Sequence, residues 1–278
     1  MCEISFLYAL ESKLGNDEMN EMFSMMLSGS EINHDGWGIF MSNTKFAKAP
    51  EKFSVEASNG VKKLCNGSTH FAVGHVRNAT HGATTGDNTH PIIFKDIMLA
   101  HNGVISNEME LRQKYNIPRT PQVDSYVIAW MLNHFSHKLN DWEEVVKMVS
   151  KELKGSYSVF FYLKTEKRLF YFRNLADFYF KLVQKDGKHF IIGNTKQDRL
   201  SATFKEYKFG FTMTTARTLS YLHPQESTLY EFSESGVNAL CELPSPEIEE
   251  IVIDTRYGYM KRFVDEDEIC KESYGKRA

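Results

Sequence analysis

The second residue of the chain is a cysteine, and an N-terminal cysteine combines a nucleophile with its own base. Its thiol is intrinsically nucleophilic. Once Met1 is removed, which the small following residue permits, the freed amine has a reference pKa of about 7.7 to 8.0 and accepts a proton near neutral pH. Acyl transfer also needs an oxyanion hole and substrate clamps. Asn102-Gly103 follows an apolar run, where a side-chain amide and a backbone N–H can face one developing charge. Six of the ten histidines fall between His34 and His101, in a window that also holds Arg77, Asn78, Thr80, Asn88 and Asn102. A metal centre is the rival explanation. His70, His75, His81, His90 and His101 follow neither HxxxH nor HExxH spacing, however, and no carboxylate cluster completes a ligand set, so no metal and no cofactor are expected. His75, His90 and His101 are read as orienting loops through hydrogen bonds.

Each candidate also has an ordinary explanation. Asn102-Gly103 and Asp35-Gly36 are common turn dipeptides, Arg77 could form a surface ion pair, and Asp124 opens a helix where an N-cap is usual. Cys65, Cys241 and Cys270 are expected to be inert or surface thiols.

These residues must be held by strands and helices that the periodicity outlines. Strands are expected over Cys2 to Leu10, Trp37 to Met41, His70 to Val76 and Asp96 to His101. A helix is expected over Asp17 to Leu27, with Met19, Met22, Met25 and Met26 on a core-facing side. A mixed stretch runs from Met41 to Asn66. Arg77 to Ile92 reads as a functional loop too polar to be core. Helices follow over Ser106 to Tyr115, with Ser106 as N-cap, then Asp124 to Phe135 and Asp141 to Leu153. From Gly155 the pattern becomes strand-rich: Ser156 to Leu163, Arg168 to Phe172, Phe178 to Val183 and Phe190 to Ile192, a short helix near Gln197 to Phe204, then Phe209 to Met213, Thr218 to Leu222, Leu229 to Phe232 and Val237 to Leu240. Helices between two groups of strands predict an α+β protein with antiparallel sheets packed between helical layers. Pro244 and Pro246 mark a break, giving a domain over 1–243 and a partly flexible extension over 244–278 with one strand near Ile251.

The 278 residues are 42% apolar and 13% aromatic, enough for a large core. A formal charge of -3 leaves no basic excess for nucleic acid. No apolar run reaches the roughly 20 residues that span a bilayer, and the four cysteines lack disulfide-framework spacing. A cytoplasmic protein with neither membrane nor nucleic-acid partner is expected; the oligomeric state is open.

Six segments together resemble the class II glutamine amidotransferases: MCEI at the start, NHDGWGIF at Asn33 to Phe40, GHVRNATHG at Gly74 to Gly82, NTHPI at Asn88 to Ile92, AHNGVISN at Ala100 to Asn107, and VDSY at Val123 to Tyr126. The resemblance implies a four-layer αββα sandwich of the N-terminal-nucleophile (Ntn) hydrolases. It implies Cys2 as nucleophile with its amine as base, and Asn102 and Gly103 as oxyanion hole. Arg77 would pair with the α-carboxylate of glutamine and Asp124 with its α-ammonium, while Thr80 and His81 line the carboxylate end. Members fused to sugar-phosphate synthases typically carry tryptophan after that arginine; this chain has Asn78. With no synthase expected after Leu243, ammonia would pass to a separate acceptor enzyme. The same clamps fit larger γ-glutamyl amides, and a non-catalytic assembly protein of this fold is the remaining alternative.

Overall fold

Alternation along the first strand sets the layering. In the computed structural model, which describes residues 2–65, 67–79, 82–202, 217–233 and 236–244, Glu3–Ala9 forms β1, buried throughout. Ile4, Phe6 and Tyr8 enter one apolar cluster while Leu7 and Ala9 enter another, as the period of two in a strand requires. Such a strand lies inside a layered structure, with packing on both faces.

Strand β1 pairs antiparallel with Phe71–Arg77 (β4) and with Lys188–Asn194 (β10). Beyond these lie Gly36–Met41 (β2) and Phe46–Ala49 (β3) on one side, and Tyr179–Lys185 (β9) and Arg217–Leu222 (β11) on the other. The order is β11-β9-β10-β1-β4-β2-β3. The second sheet contains Ile92–Phe94 (β5), Ile97–Ile105 (β6), Gly155–Leu163 (β7), Arg168–Arg173 (β8), Thr228–Ser233 (β12) and Gly236–Glu242 (β13). Its order is β13-β12-β8-β7-β6-β5, again antiparallel.

Aromatic side chains fill the space between the sheets. The Phe160 ring stacks 4.7 Å from Phe6 and lies 4.5 Å from Tyr171, with Phe178, Phe180 and Phe232 around it. Outside the first sheet pack Asn16–Ser30 (α1), which buries Met19, Met22, Met25 and Met26, and Val55–Cys65 (α2). Outside the second pack Glu108–Tyr115 (α3), Asp124–Ser136 (α4) and Trp142–Glu152 (α5). A short helix, Gln197–Ala202 (α6), follows β10. This is the expected αββα arrangement.

The structure departs from the sequence expectation in several places. The mixed stretch contains β3 and α2; β3 is partly exposed, and α2 buries only Ser58, Val61 and Cys65, too few to make a clear apolar stripe. Strand β6 runs through Asn102-Gly103 to Ile105, so that dipeptide is not a turn: Gly103 pairs with Tyr157 of β7. Helix α3 starts after Asn107, not Ser106; the Asn107 side chain does not cap it but donates to the Glu152 carbonyl at 2.9 Å and accepts from Lys154 N at 3.0 Å, tying the helix start to the end of α5. The loop before β5 is not wholly outside the core, since Asn88, Thr89 and His90 are buried. The strands expected at Phe209 to Met213 and near Ile251, and residues 245–278 of the expected extension, lie outside the described residues.

Phe160 is fully buried at the centre of the inter-sheet cluster. Phe160→Ala is expected to lower unfolding stability by about 3 to 5 kcal/mol, measured by urea denaturation at fixed m-value. A loss under about 1 kcal/mol would show that this cluster is not a principal source of stability.

Candidate active site

The start of β1 is tied down from three directions. Its register with β4 sets Glu3 opposite Val76 and brings Cys2 to the chain leaving β4. There the Cys2 Sγ lies 3.3 Å from both Asn78 N, which donates to it, and Asn78 O, to which it can donate. Glu3 is buried and accepts from Arg199 of α6 at 3.2 and 3.3 Å and from Asn33 Nδ2 at 3.3 Å. Ile4 N donates to Thr195 Oγ1 at 2.9 Å, and Thr195 N donates back to Ile4 O at 3.1 Å. These bonds hold the half-buried thiol on an ordered backbone.

The facing sheet supplies Asn102 and Gly103. Asn102 is buried, and its Nδ2 donates to the same Thr195 hydroxyl at 3.4 Å, so one side chain links the Cys2 strand with β6. Gly103 has φ +138°, and a Cβ there would sit 2.0 Å from Ser156 O. Only glycine allows this approach of β6 to β7. Cys2, Asn102 and Gly103 line one cavity of about 500 Å³.

Arg77 ends β4 and is 4% exposed, which overturns the surface ion-pair reading. Its Nη2 donates to Gly82 O at 3.4 Å. The NHDGWGIF segment forms the seat of the loop that follows. Asp35 Oδ2 accepts from Ala79 N at 2.8 Å, and Asp35 N donates to Arg77 O at 2.9 Å. A Cβ on Gly38 would lie 1.8 Å from His90 O. Asn88 bridges Ala83 O and Gln122 N at 2.9 Å each, joining this loop to the residues before α4. Thr80 and His81 lie outside the described residues.

Asp124 departs from the N-cap reading: Val123 occupies the cap, and Asp124 is the first helical residue. Its Oδ2 accepts from Ile105 N at 2.9 Å and its Oδ1 from Ser125 N at 2.8 Å. The carboxylate therefore pins the end of β6 to α4; the Ser125 hydroxyl adds a second donor to Oδ1 at 3.4 Å, and Oδ2 keeps a lone pair for a further donor.

Burial pushes the Cys2 thiol up; the Asn78 backbone and the Arg77 charge pull it down, and Asp124 raises it. Arg77 and Asp124 thus both act electrically on this sulfur. With Met1 attached, the Cys2 nitrogen is an amide and cannot take the thiol proton. Below the site, His90 Nε2 and His101 Nδ1 share the Ser125 hydroxyl at 3.0 and 2.9 Å, and the His75 ring packs 4.1 Å from that of His90. Burial, reinforced by the neighbouring His101 and Arg77, lowers His75 to about 3; burial also lowers His90 and His101. Among the described residues, no three His, Cys, Asp or Glu side chains are grouped to hold a metal. Cys65 is buried, with its thiol pushed up to about 11. Cys270 lies outside the described residues.

Sequence reasoning did not single out Asn78 as the sulfur's neighbour, nor Thr195, Glu3 and Arg199 as its supports. Glu3 carried a usable signal, a carboxylate in a largely apolar strand. Thr195 and Arg199 carried none, because they reach Cys2 only through the pairing of β1 with β10.

The description of glutamine amidotransferases class-II matches residues 1–182, and the chain belongs to that family. Glutamine–fructose-6-phosphate aminotransferase of Xanthomonas campestris is 35% identical over 103 residues, which is 36% of this chain and 17% of that relative. The chain therefore matches only a small part of that protein's length. Two solved structures share the fold. The glutamine phosphoribosylpyrophosphate amidotransferase of B. subtilis superposes with TM-score 0.61 at 15% identity, over 86% of this chain and 49% of that one. A glutamine aminotransferase class-II domain protein from Silicibacter pomeroyi gives TM-score 0.52 at 9% identity, over 87% of this chain and 100% of that one. The αββα sandwich is thus the Ntn-hydrolase fold of this enzyme family. Among the described residues, no helix is long and apolar enough to cross a membrane.

The three buried histidines generate an acid-sensitivity prediction. Each is held neutral in the folded chain, whereas the unfolded chain binds a proton below about pH 6.5. Stability is therefore lost as pH falls below about 6.5, in the case of His75 down to about 3, by about 1.4 kcal/mol per pH unit for each histidine that stays neutral in the folded chain. Urea unfolding between pH 6.5 and 4.5 should show this slope, and His75→Gln should flatten it. An unchanged slope in that variant would remove His75 from the account.

Proposed function

We propose that Cys2, exposed by removal of Met1, hydrolyses the side-chain amide of glutamine through a γ-glutamyl thioester. The observation that carries this reading is the shared cavity of Cys2, Asn102 and Gly103, drawn from two different sheets. The raised thiol needs a base, and the Cys2 amine created by processing is attached to the same residue. It takes the thiol proton, sulfur adds to the γ-carbonyl carbon, and the negative oxygen faces Asn102 Nδ2 and the Gly103 N–H. The C–N bond then breaks, the protonated amine returns its proton to the leaving nitrogen, and ammonia departs. Water attacks the thioester, giving glutamate and free thiol.

The buried Arg77 fork suits a bidentate hold on the α-carboxylate. Asp124 retains acceptor capacity for the α-ammonium. Thr80 and His81 complete the carboxylate end in this reading. We place the catalytic domain at residues 1–243, in the cytoplasm, with a separate enzyme as ammonia acceptor; no nucleic acid or membrane takes part.

Two variants test the assignment by coupled measurement of glutamate release. Cys2→Ala is expected to lower kcat by about 10³-fold or more while leaving the unfolding transition near wild type. Arg77→Lys keeps the charge but loses the fork, and should raise KM by roughly tenfold with a smaller effect on kcat. Substantial turnover by Cys2→Ala would refute the mechanism, and a wild-type KM in Arg77→Lys would remove the clamp.

A further inference from the structure

The cavity beside Cys2 is far larger than the leaving group of glutamine requires. Ammonia is about the size of water, whose share of liquid volume is about 30 Å³. The cavity measures about 500 Å³, within the range of sites that bury whole small molecules. Beyond Cys2, Asn102 and Gly103 it continues along Leu175, Ala176 and Tyr179 to a rim bearing Asp177 and Lys196. Neither Arg77 nor Asp124 lines it. With those two holding the amino-acid end of the substrate, this space lies on the amide side of the reacting carbon.

Buried polar groups hold from behind the segment that carries Leu175 and Ala176. Arg173 is 1% exposed, and its guanidinium donates to Pro224 O at 2.9 Å, Asn174 O at 3.2 Å and Ala176 O at 3.1 Å. Asn174 is also buried; its Oδ1 accepts from Tyr157 N at 2.6 Å and its Nδ2 donates to Gly155 O at 2.7 Å. A buried cation is costly unless its donors are met. Here they are met by the Asn174 and Ala176 carbonyls of the segment that walls the cavity and by Pro224 O, with the Asp177 and Glu226 carboxylates 3.9 and 3.7 Å away, which fixes Leu175 and Ala176 in place. Val104, on the opposite side, is 44% exposed and adds apolar surface without closing the space.

Building on the Cys2 reading, we propose that this cavity receives the amine half of N-substituted γ-glutamyl amides. An apolar or aromatic substituent packs against Leu175, Ala176 and Tyr179, with any polar end at the Asp177 and Lys196 rim. The chemistry is otherwise that of glutamine: sulfur adds to the γ-carbonyl, the C–N bond breaks, and the nitrogen leaves as a primary amine with the proton from the Cys2 ammonium. Water then converts the thioester to glutamate.

The test uses the full processed chain with glutamine, γ-glutamyl methylamide and γ-glutamyl benzylamide. Both substituted amides release alkylamines, so size is the main difference between them. The benzylamide is expected to exceed the methylamide in kcat/KM by roughly tenfold or more. Ala176→Phe, which fills the cavity, should bring that ratio towards one. A methylamide equal to or better than the benzylamide in the wild type overturns the proposal, whether or not the Ala176 variant folds. If glutamine is hydrolysed but the benzylamide is not, only this inference falls, and the cavity faces an ammonia acceptor instead. If no substrate is turned over, the Cys2 reading falls and takes this one with it.

Discussion

The pairing of β1 with β4 and β10 is the constraint from which the rest of the site follows. A strand alternates faces with a period of two, so a slip of one residue against either neighbour would exchange Ile4, Phe6 and Tyr8 with Leu7 and Ala9. Both faces are packed, which makes such a slip costly. The same register carries Cys2 to the backbone of Asn78 and Ile4 to Thr195. A residue at the end of a chain would ordinarily fray. Here the buried Glu3–Arg199 pair and the Thr195 contacts put the thiol on the rigid side of that boundary.

The second sheet contributes by a different device. Gly103 and Gly155 both take positive φ, +138° and +118°, and both approach a carbonyl of the neighbouring strand within 2.0 to 2.1 Å of where a Cβ would stand. Strands β6 and β7 therefore come together at their ends as no pair of larger residues could. Asn102 lies one residue before this approach and reaches across to Thr195. Positioning thus rests on backbone geometry and on a few buried hydrogen bonds, with loops seated on glycines such as Gly38.

Much of this was legible before any coordinates. The alternation in β1, the methionine face of α1 and the strand-rich second half carry strong periods, and they give the layers. Cys2 and Asn102-Gly103 stand out by residue type, and Arg77 and Asp124 through the resemblance that six short segments carry. What the sequence hid were relations between distant positions. Asn102-Gly103 reads locally as a turn, and only its pairing with Ser158 and Tyr157 makes it part of a strand. Asp124 reads as a cap, but its partner is Ile105 N, nineteen residues away. Thr195 is an ordinary threonine until two sheets are folded around it, and α2 hides because its buried face is short.

The central claim is that the thiol at residue 2 is the reacting group. Intact mass measurement of the purified protein, with and without diazo-oxo-norleucine, a glutamine-like electrophile, tests it most directly. Loss of Met1 and a single adduct that maps to Cys2 are expected. An unprocessed chain without adduct, or an adduct mapping to Cys65 or Cys241 with Cys2 unmodified, would contradict it.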